Sequence, residues 1–422
     1  MRYLYLLLLA TQFVNSNHIT GSSYTRKANR LSRSRQVNPE QVSIFNDLIV
    51  GERSDSFNIL FQHSIPTDLT ISTTSNGGSV FYQNSMANIS SGTNANGYAS
   101  LKSKNALHYI SGHEAYAFFT ALFPTSAASS TQWIGLLNDS NGLAIGYNGT
   151  TFSMLHRNNS INTITPQQNF NLDVLDGSGV SGIKLNPTKL NIFKISYGWL
   201  GAAPITFHIC REDGVWYPFH KINYPNLNTA PSIRNTTLPI KAEVKKVDVD
   251  NTNLTIRTAS WCAGTVGNAS SSQKREYQHS VKKKFLTAFT DIPILSIRNK
   301  ETAFDGPNAE KACLVFFDIA KRVFAPGFGR FMFIKNATLT GASWVEKDST
   351  NSFVEYDTNA TAYNGGEEVF FVPLIGVENY SAFLLSNGIN INIYPGETLS
   401  LVVQPEANIL VDASILWRET IS

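Results

Sequence analysis

The feature that most limits what this chain can fold into is a period of two. Phe193, Ile195 and Tyr197 alternate with Lys194 and Ser196, and Ile205, Phe207 and Ile209 alternate with Thr206 and His208. Ile389, Ile391 and Ile393 alternate with Asn390, Asn392 and Tyr394, and Leu399, Leu401 and Val403 with Ser400, Val402 and Gln404. Successive side chains of a strand point to opposite faces, so each run buries one face and wets the other. Further short apolar runs stand at 78–82, 115–123, 133–137, 143–147, 151–155 and 254–262. After residue 285 they recur at 294–298, 313–319, 330–335, 368–374 and 414–418. The stretch 315–323 also fits a helix. Asn141-Gly142, Asn148-Gly149, Asp176-Gly177 and Asp213-Gly214 punctuate the runs and predict type I′ hairpins, whose two central residues need positive φ.

Only 15% of the 422 residues are charged and 42% are hydrophobic, which excludes a chain disordered over most of its length. Short strands in this number predict an all-β protein of two β-sandwich domains, jelly-roll or lectin-like, because two facing sheets bury both apolar faces. The expected boundaries are 78–267 for the first sandwich and 285–422 for the second. Between them, residues 268–284 are rich in Ser, Gln, Lys and Arg and read as a linker. Residues 17–77 form a basic arm and a transitional segment, with an apolar patch at 44–50.

The net charge of +3 belongs to the N-terminal end. Arg2, Arg26, Lys27, Arg30, Arg33 and Arg35 precede the first acid, Glu40, and beyond them 28 bases face 31 acids. The body therefore carries no nucleic-acid footprint, and only the arm from Arg26 to Arg35 offers one. Residues 3–14 are apolar and are followed by Asn15 and Ser16, the pattern of a short secretory leader over residues 1–16. That stretch is shorter than the roughly 20 residues of a membrane span. Ten Asn-X-Ser/Thr sequons, at Asn88, Asn138, Asn148, Asn158, Asn235, Asn253, Asn268, Asn336, Asn359 and Asn379, mark surface loops. Cys210, Cys262 and Cys313 are odd in number. Cys210 and Cys262 end apolar runs and read either as buried strand thiols or as one disulfide.

No catalytic constellation stands out. His108, His113 and Glu114 are close in sequence, but their spacing fits no metal-binding helix, and in a strand His113 and Glu114 point apart. Asp173, Asp176, Glu212 and Asp213 lie in turn-like contexts, where an Asp caps its own backbone instead of facing a second carboxylate. No metal or cofactor is expected. Trp133, Trp199, Trp216, Tyr217 and Tyr224 are the aromatic candidates for a sugar-stacking surface. Trp216 and Tyr217, just after the Asp213-Gly214 turn, and Tyr224 are the ones expected at the surface as binding residues.

Several short motifs resemble a family of virion structural proteins from large DNA viruses and tailed phages. They are Gly97-Tyr98-Ala99-Ser100-Leu101-Lys102-Ser103-Lys104, Leu107-His108-Tyr109-Ile110-Ser111-Gly112, Phe119-Thr120-Ala121-Leu122-Phe123, Ile134-Gly135-Leu136 with Gly142, and Gly146-Tyr147-Asn148-Gly149. Asn191-Ile192-Phe193-Lys194-Ile195 with Trp199-Leu200-Gly201, Ser296-Ile297-Arg298-Asn299-Lys300, Pro395-Gly396-Glu397-Thr398-Leu399 and Trp417-Arg418-Glu419 extend the resemblance over 78–422. It implies a non-enzymatic capsid, tail or attachment component in the virion, with other virion proteins, copies of itself and host-surface glycan as partners. It carries no catalytic residues over. The N-terminal leader departs from it, since a particle protein assembled in cytosol needs none: either the segment anchors or packs in the particle, or the protein passes through a membrane system by a secretory route. The alternative from another class is a secreted, lectin-like carbohydrate-binding protein, and a glycan-cleaving enzyme ranks third.

Overall fold

The computed structural model describes residues 53–107, 109–110, 112–198, 201–247, 252–267, 274–303, 306–307, 312–323, 328–375, 381–384 and 391–421. The expected leader, the basic arm, the apolar patch at 44–50, His108, Trp199 and residues 268–273 lie outside them. Apart from one 3₁₀ turn, Gln167–Asn169, all regular structure among the described residues is strand. No helix among them is long and apolar enough to cross a membrane.

Strands of the first half are β1 (Arg53–Leu60), β2 (Thr70–Ser75), β3 (Ser79–Gln83), β4 (Met86–Ser90), β5 (Tyr98–Ser103), β6 (Glu114–Ala121), β7 (Ser130–Leu137) and β8 (Gly142–Asn148). They continue as β9 (Thr151–Asn158), β10 (Ile161–Pro166), β11 (Asn191–Gly198), β12 (Ile205–Cys210), β13 (Trp216–Ile222), β14 (Ile240–Lys246), β15 (Thr255–Thr258) and β16 (Ser260–Val266). A six-stranded antiparallel sheet runs β1-β16-β6-β11-β12-β13, and a seven-stranded one runs β10-β9-β8-β7-β14-β5-β2. One core lies between them. Phe119, Ile195, Phe207 and Trp261 reach it from the first sheet, and Leu101, Ile134, Ile145, Met154 and Val244 from the second. The protein is thus an all-β sandwich built by the alternation its sequence displays.

The second half forms a five-stranded sheet, including Lys274–Leu286, Ile409–Ile421 and Ala312–Val323, and a six-stranded one, including Ile292–Asn299, Thr398–Pro405 and Phe328–Lys335. Ile297, Phe331, Leu401, Ile415 and Trp417 share its own core.

Four expectations change. Residues 274–284, read as linker, belong to a strand paired with Ile409–Ile421, since Tyr277 and Val281 pack on the second core and supply the alternation that the polar composition hid. Residues 53–60 and 70–75, read as transitional, are strands of the first sandwich. The run 254–262 splits between β15 and β16 in different sheets, whereas 315–323 is strand, as the run 313–319 predicts, and not the alternative helix. The type I′ geometry appears at Asn84-Ser85 and Asn159-Ser160, where both residues have positive φ (55° and 56°, 51° and 67°). At the four Asn-Gly and Asp-Gly pairs, the Asn or Asp never has positive φ. Type I′ needs a two-residue loop directly between paired strands, and the pairs Gln83↔Met86 and Asn158↔Ile161 leave that loop length there.

Gly146 shows how tightly the seven-stranded sheet is joined. A Cβ on it would lie 1.8 Å from the Gln132 carbonyl oxygen on β7. Gly146→Ala should therefore lower stability by about 3 kcal/mol or more, read as a fall in the denaturant midpoint. An unchanged midpoint would mean that β7 and β8 are not so closely apposed.

Candidate functional site

The two sheets of the first sandwich end in different edge strands, β10 in one and β13 in the other. Between β9–β10 and the chain that leaves β13 lies a cleft of about 370 Å³, lined by His156, Asn158, Ile161, Thr163, Ile222, Asn223, Tyr224 and Asn228. Antiparallel register explains half of this lining. Thr163 pairs with His156 and Ile161 with Asn158, so the four side chains share one face, continuing the row of core residues Phe152 and Met154 beyond the core's edge.

The hairpin is fixed from behind. Ser160 N donates to Ser140 O (2.7 Å) and Asn159 N to Asn141 Oδ1 (3.3 Å). On the opposite wall, Leu227 N and Asn228 Nδ2 donate to Tyr224 O at 3.2 and 3.4 Å, which curls residues 224–228 into a turn with Asn226 at φ 60°. Residues 231 and 232 tie the walls together: Asn158 Nδ2 donates to Pro231 O (3.0 Å) and His156 Nε2 to Ser232 O (2.6 Å).

A carbonyl oxygen only accepts, so Nε2 of His156 carries the proton and Nδ1 of the neutral ring is left as an acceptor. Burial holds the His156 pKa below its ordinary value, partly opposed by the bond to Ser232 O, so the ring is neutral at pH 7. Asn158 Oδ1 is buried and has no hydrogen-bond partner. None of the eight lining residues carries a formal charge at neutral pH. The neighbouring Arg157 turns away, donating to Asn162 Oδ1 and Asn138 O. Such a lining suits a neutral polar ligand with an apolar face, and it lacks the paired carboxylates that glycoside hydrolysis requires.

Of the three aromatics expected at the surface, Tyr224 alone reaches the cleft. Trp216 and Tyr217 are each 8% exposed, a correction to the expectation that they face solvent. The alternation puts Trp216 on the outer face of the six-stranded sheet, where it meets the Phe118 ring edge-on at 5.3 Å. The Phe118 ring also carries Arg53 at 4.9 Å and the Lys194 ammonium at 5.7 Å. Tyr217 is covered by the Arg211 guanidinium, 4.8 Å above its ring. Trp133 is buried in a small cluster with Leu137, Ala144 and Leu155.

The same outer face holds a buried Lys194–Glu114 ion pair (3.5 Å) and Tyr116, which donates to Asp55 Oδ1 (2.5 Å). His208 is fully buried there, its pKa lowered to about 3, first by desolvation and then by the Lys194 charge. Cys262, half-buried, has its thiol pushed up to about 12 by burial and by Asp55, so it is a poor nucleophile. Cys210 and Cys262 are each partly exposed and are not joined in the disulfide that was one reading of them. Asp173 accepts from Leu175 N and Ser181 N, Asp176 from Ser178 and Asp213 from Val215 N, so these carboxylates cap turns. Among the described residues no group of His, Cys, Asp and Glu is arranged to hold a metal.

Sequence reasoning missed His156, Asn158, Thr163, Asn223 and Asn228. Asn158-Asn159-Ser160 drew notice only as a sequon, and nothing local links residues 156–163 to 222–228.

No protein-family model matches the chain, and no curated protein matches its sequence. Solved structures do match about half of it. Lectin I-B4 from Griffonia simplicifolia is 13% identical over 50% of this chain and 99% of the lectin, with a TM-score of 0.32. Peanut lectin is 10% identical over 51% of this chain and 100% of its own, with a TM-score of 0.30. The CBM2 module of the evolved Dit of Lactobacillus casei BL23 phage J-1 is 12% identical over 52% of this chain and 98% of the module, with a TM-score of 0.34. Similarity at this level speaks to neither ligand nor site.

Two outcomes test the assignment of the sheet face to packing. Trp216→Ala should cost about 3–5 kcal/mol of stability, as truncation of a buried Trp does, measured by denaturant unfolding; a neutral effect would return Trp216 to the surface. His208 is buried neutral when folded and takes up a proton near the ordinary histidine value of about 6.5 when unfolded. Its contribution is therefore complete above pH 6.5 and is lost as pH falls towards 3. Stability measured from pH 8 to pH 4 should decline below about 6.5, and His208→Gln should flatten that decline. An equal slope in the variant would contradict the assignment.

Proposed function

We propose that the first sandwich is a non-catalytic carbohydrate-binding domain whose cleft takes a neutral saccharide. The observation that carries this reading is the lining itself: one tyrosine ring amid three asparagines, a threonine and a neutral histidine, with no formal charge. A pyranose offers an apolar C–H face for the Tyr224 ring, and its hydroxyls are both donors and acceptors, matching amide groups that are the same. An anionic ligand would find no lysine or arginine in the lining, and a purely apolar one would leave the amides unsatisfied.

Single sites of this size bind weakly, and copies held together raise avidity by roughly 10² to 10⁴ without new contacts. The virion-protein resemblance would supply that setting as attachment to a host-surface glycan; secretion as an oligomer would supply it equally. Virion assembly rests on the resemblance alone, whereas glycan binding rests on the cleft.

The test is a glycan array followed by calorimetry with the full chain. Neutral saccharides should bind, and Tyr224→Ala should weaken them about tenfold, or about 1.4 kcal/mol, with an unchanged melting temperature. Binding by Tyr224→Ala equal to wild type, or an array positive only for sialylated or sulfated glycans, would overturn the reading. Oligosaccharides recovered shortened after incubation would replace binding by turnover.

A further inference from the structure

Resting on the saccharide reading, we propose that His156 and Asn158 are the specificity-determining pair of the cleft. They read two ligand hydroxyls as donors, and through them the saccharide is released in acid. Three observations converge on this. Both residues stand on β9 two positions apart, so they share a face and are roughly 7 Å apart along the strand, a spacing that a pyranose ring with its substituents can span. Both spend a donor on the protein: His156 gives its one N–H, on Nε2, to Ser232 O, and Asn158 gives one of its two Nδ2 hydrogens to Pro231 O. Each keeps an acceptor, Nδ1 in His156 and Oδ1 in Asn158, and the Asn158 Oδ1 is buried without a partner.

A buried acceptor without a donor is costly, so a ligand hydroxyl that supplies one is bound with more than the value of an ordinary exchange with water. Selectivity follows from the same asymmetry. A sugar lacking the hydroxyl, or carrying an O-methyl in its place, leaves the acceptor unsatisfied in a site now closed to water. Such losses discriminate far better than a missing apolar contact.

Acid release follows from what surrounds His156. Thr163 faces it from β10 and Leu143 pairs with it from β8, while Ser232 holds its Nε2. Tyr224 is the other titratable side chain in the lining, and no carboxylate is among the eight. A saccharide seated in the cleft strips water from an imidazolium that has no counter-charge, so the ligand binds the neutral ring preferentially. Affinity then falls once pH drops through the His156 pKa, by at most about tenfold per pH unit for one proton.

The experiment uses the full chain and methyl glycosides of glucose, galactose, mannose and N-acetylglucosamine, with their monodeoxy analogues, titrated from pH 7.5 to pH 5. Circular dichroism confirms folding at each pH. Wild type should lose affinity within this range, starting at a pH below the ordinary histidine value of about 6.5 because burial holds the His156 pKa under it, and His156→Gln, which keeps a donor for Ser232 O, should bind with no dependence on pH. Asn158→Ala should weaken the parent glycoside at least tenfold yet bind one monodeoxy analogue as wild type does, since the group that read the missing hydroxyl is gone. Wild-type affinity constant over this range, pH dependence surviving in His156→Gln, or equal losses by Asn158→Ala for parent and every analogue would each overturn the proposal and leave saccharide binding standing. Failure of every glycoside to bind at pH 7.5 would instead remove the reading on which it rests.

Discussion

The structure of the first half depends on the burial of two apolar sheet faces against each other. Alternation sends Phe193, Ile195 and Tyr197 inward from β11, and Ile145 and Met154 inward from β8 and β9, into one shared core. At roughly 25 cal/mol per Å² of apolar area removed from water, this is the large favourable quantity in the fold. It also defines where function can arise. The apolar row ends where the sheets end, and on β9 the inward positions change from Phe152 and Met154 to His156 and Asn158. The cleft is the place where the sandwich stops being filled.

The outer face of the six-stranded sheet poses the opposite case. It carries side chains often found in active sites: a carboxylate, an ammonium, an imidazole and several rings. Yet Glu114 and Lys194 are paired and buried, Tyr116 is bonded to Asp55, and Trp216 and Phe118 pack together. Such ion pairs are strongly destabilising to break, because one charge is left uncompensated. Chemistry-bearing residue types in this layer serve packing, whereas the more modest amides and hydroxyls at the sheet edge are left with groups to offer.

Strands whose alternation is clean were legible in the sequence: Ile205–Cys210 begins and ends where the pattern does. Lys274–Leu286 was not, because its outward positions and its bulge near Lys284 make a strand look like a polar linker. Turn chemistry was legible in kind but not in place. Asn-Gly is the stronger local signal, but the pairing of Asn158 with Ile161 decides that Asn159 and Ser160 form the tight turn. The site was least legible. Tyr224 was identified as a surface aromatic, and Trp216, earlier in the same segment, was not separable from it, since burial depends on which strand face a residue occupies and β13 carries a β-bulge between them. His156 and Asn158 meet Tyr224 only through the meeting of two sheet edges, which no local pattern encodes.

The central claim is that the edge cleft, and not the aromatic outer face of the six-stranded sheet, is where this protein meets its ligand. A crystal structure of the full chain with a bound neutral saccharide tests it most directly. The account predicts a sugar ring stacked on Tyr224 with hydroxyls directed at Asn158 Oδ1 and His156. A sugar lying instead along Trp216, Phe118 and Tyr116, with Glu114 and Lys194 parted to admit it, would contradict the account.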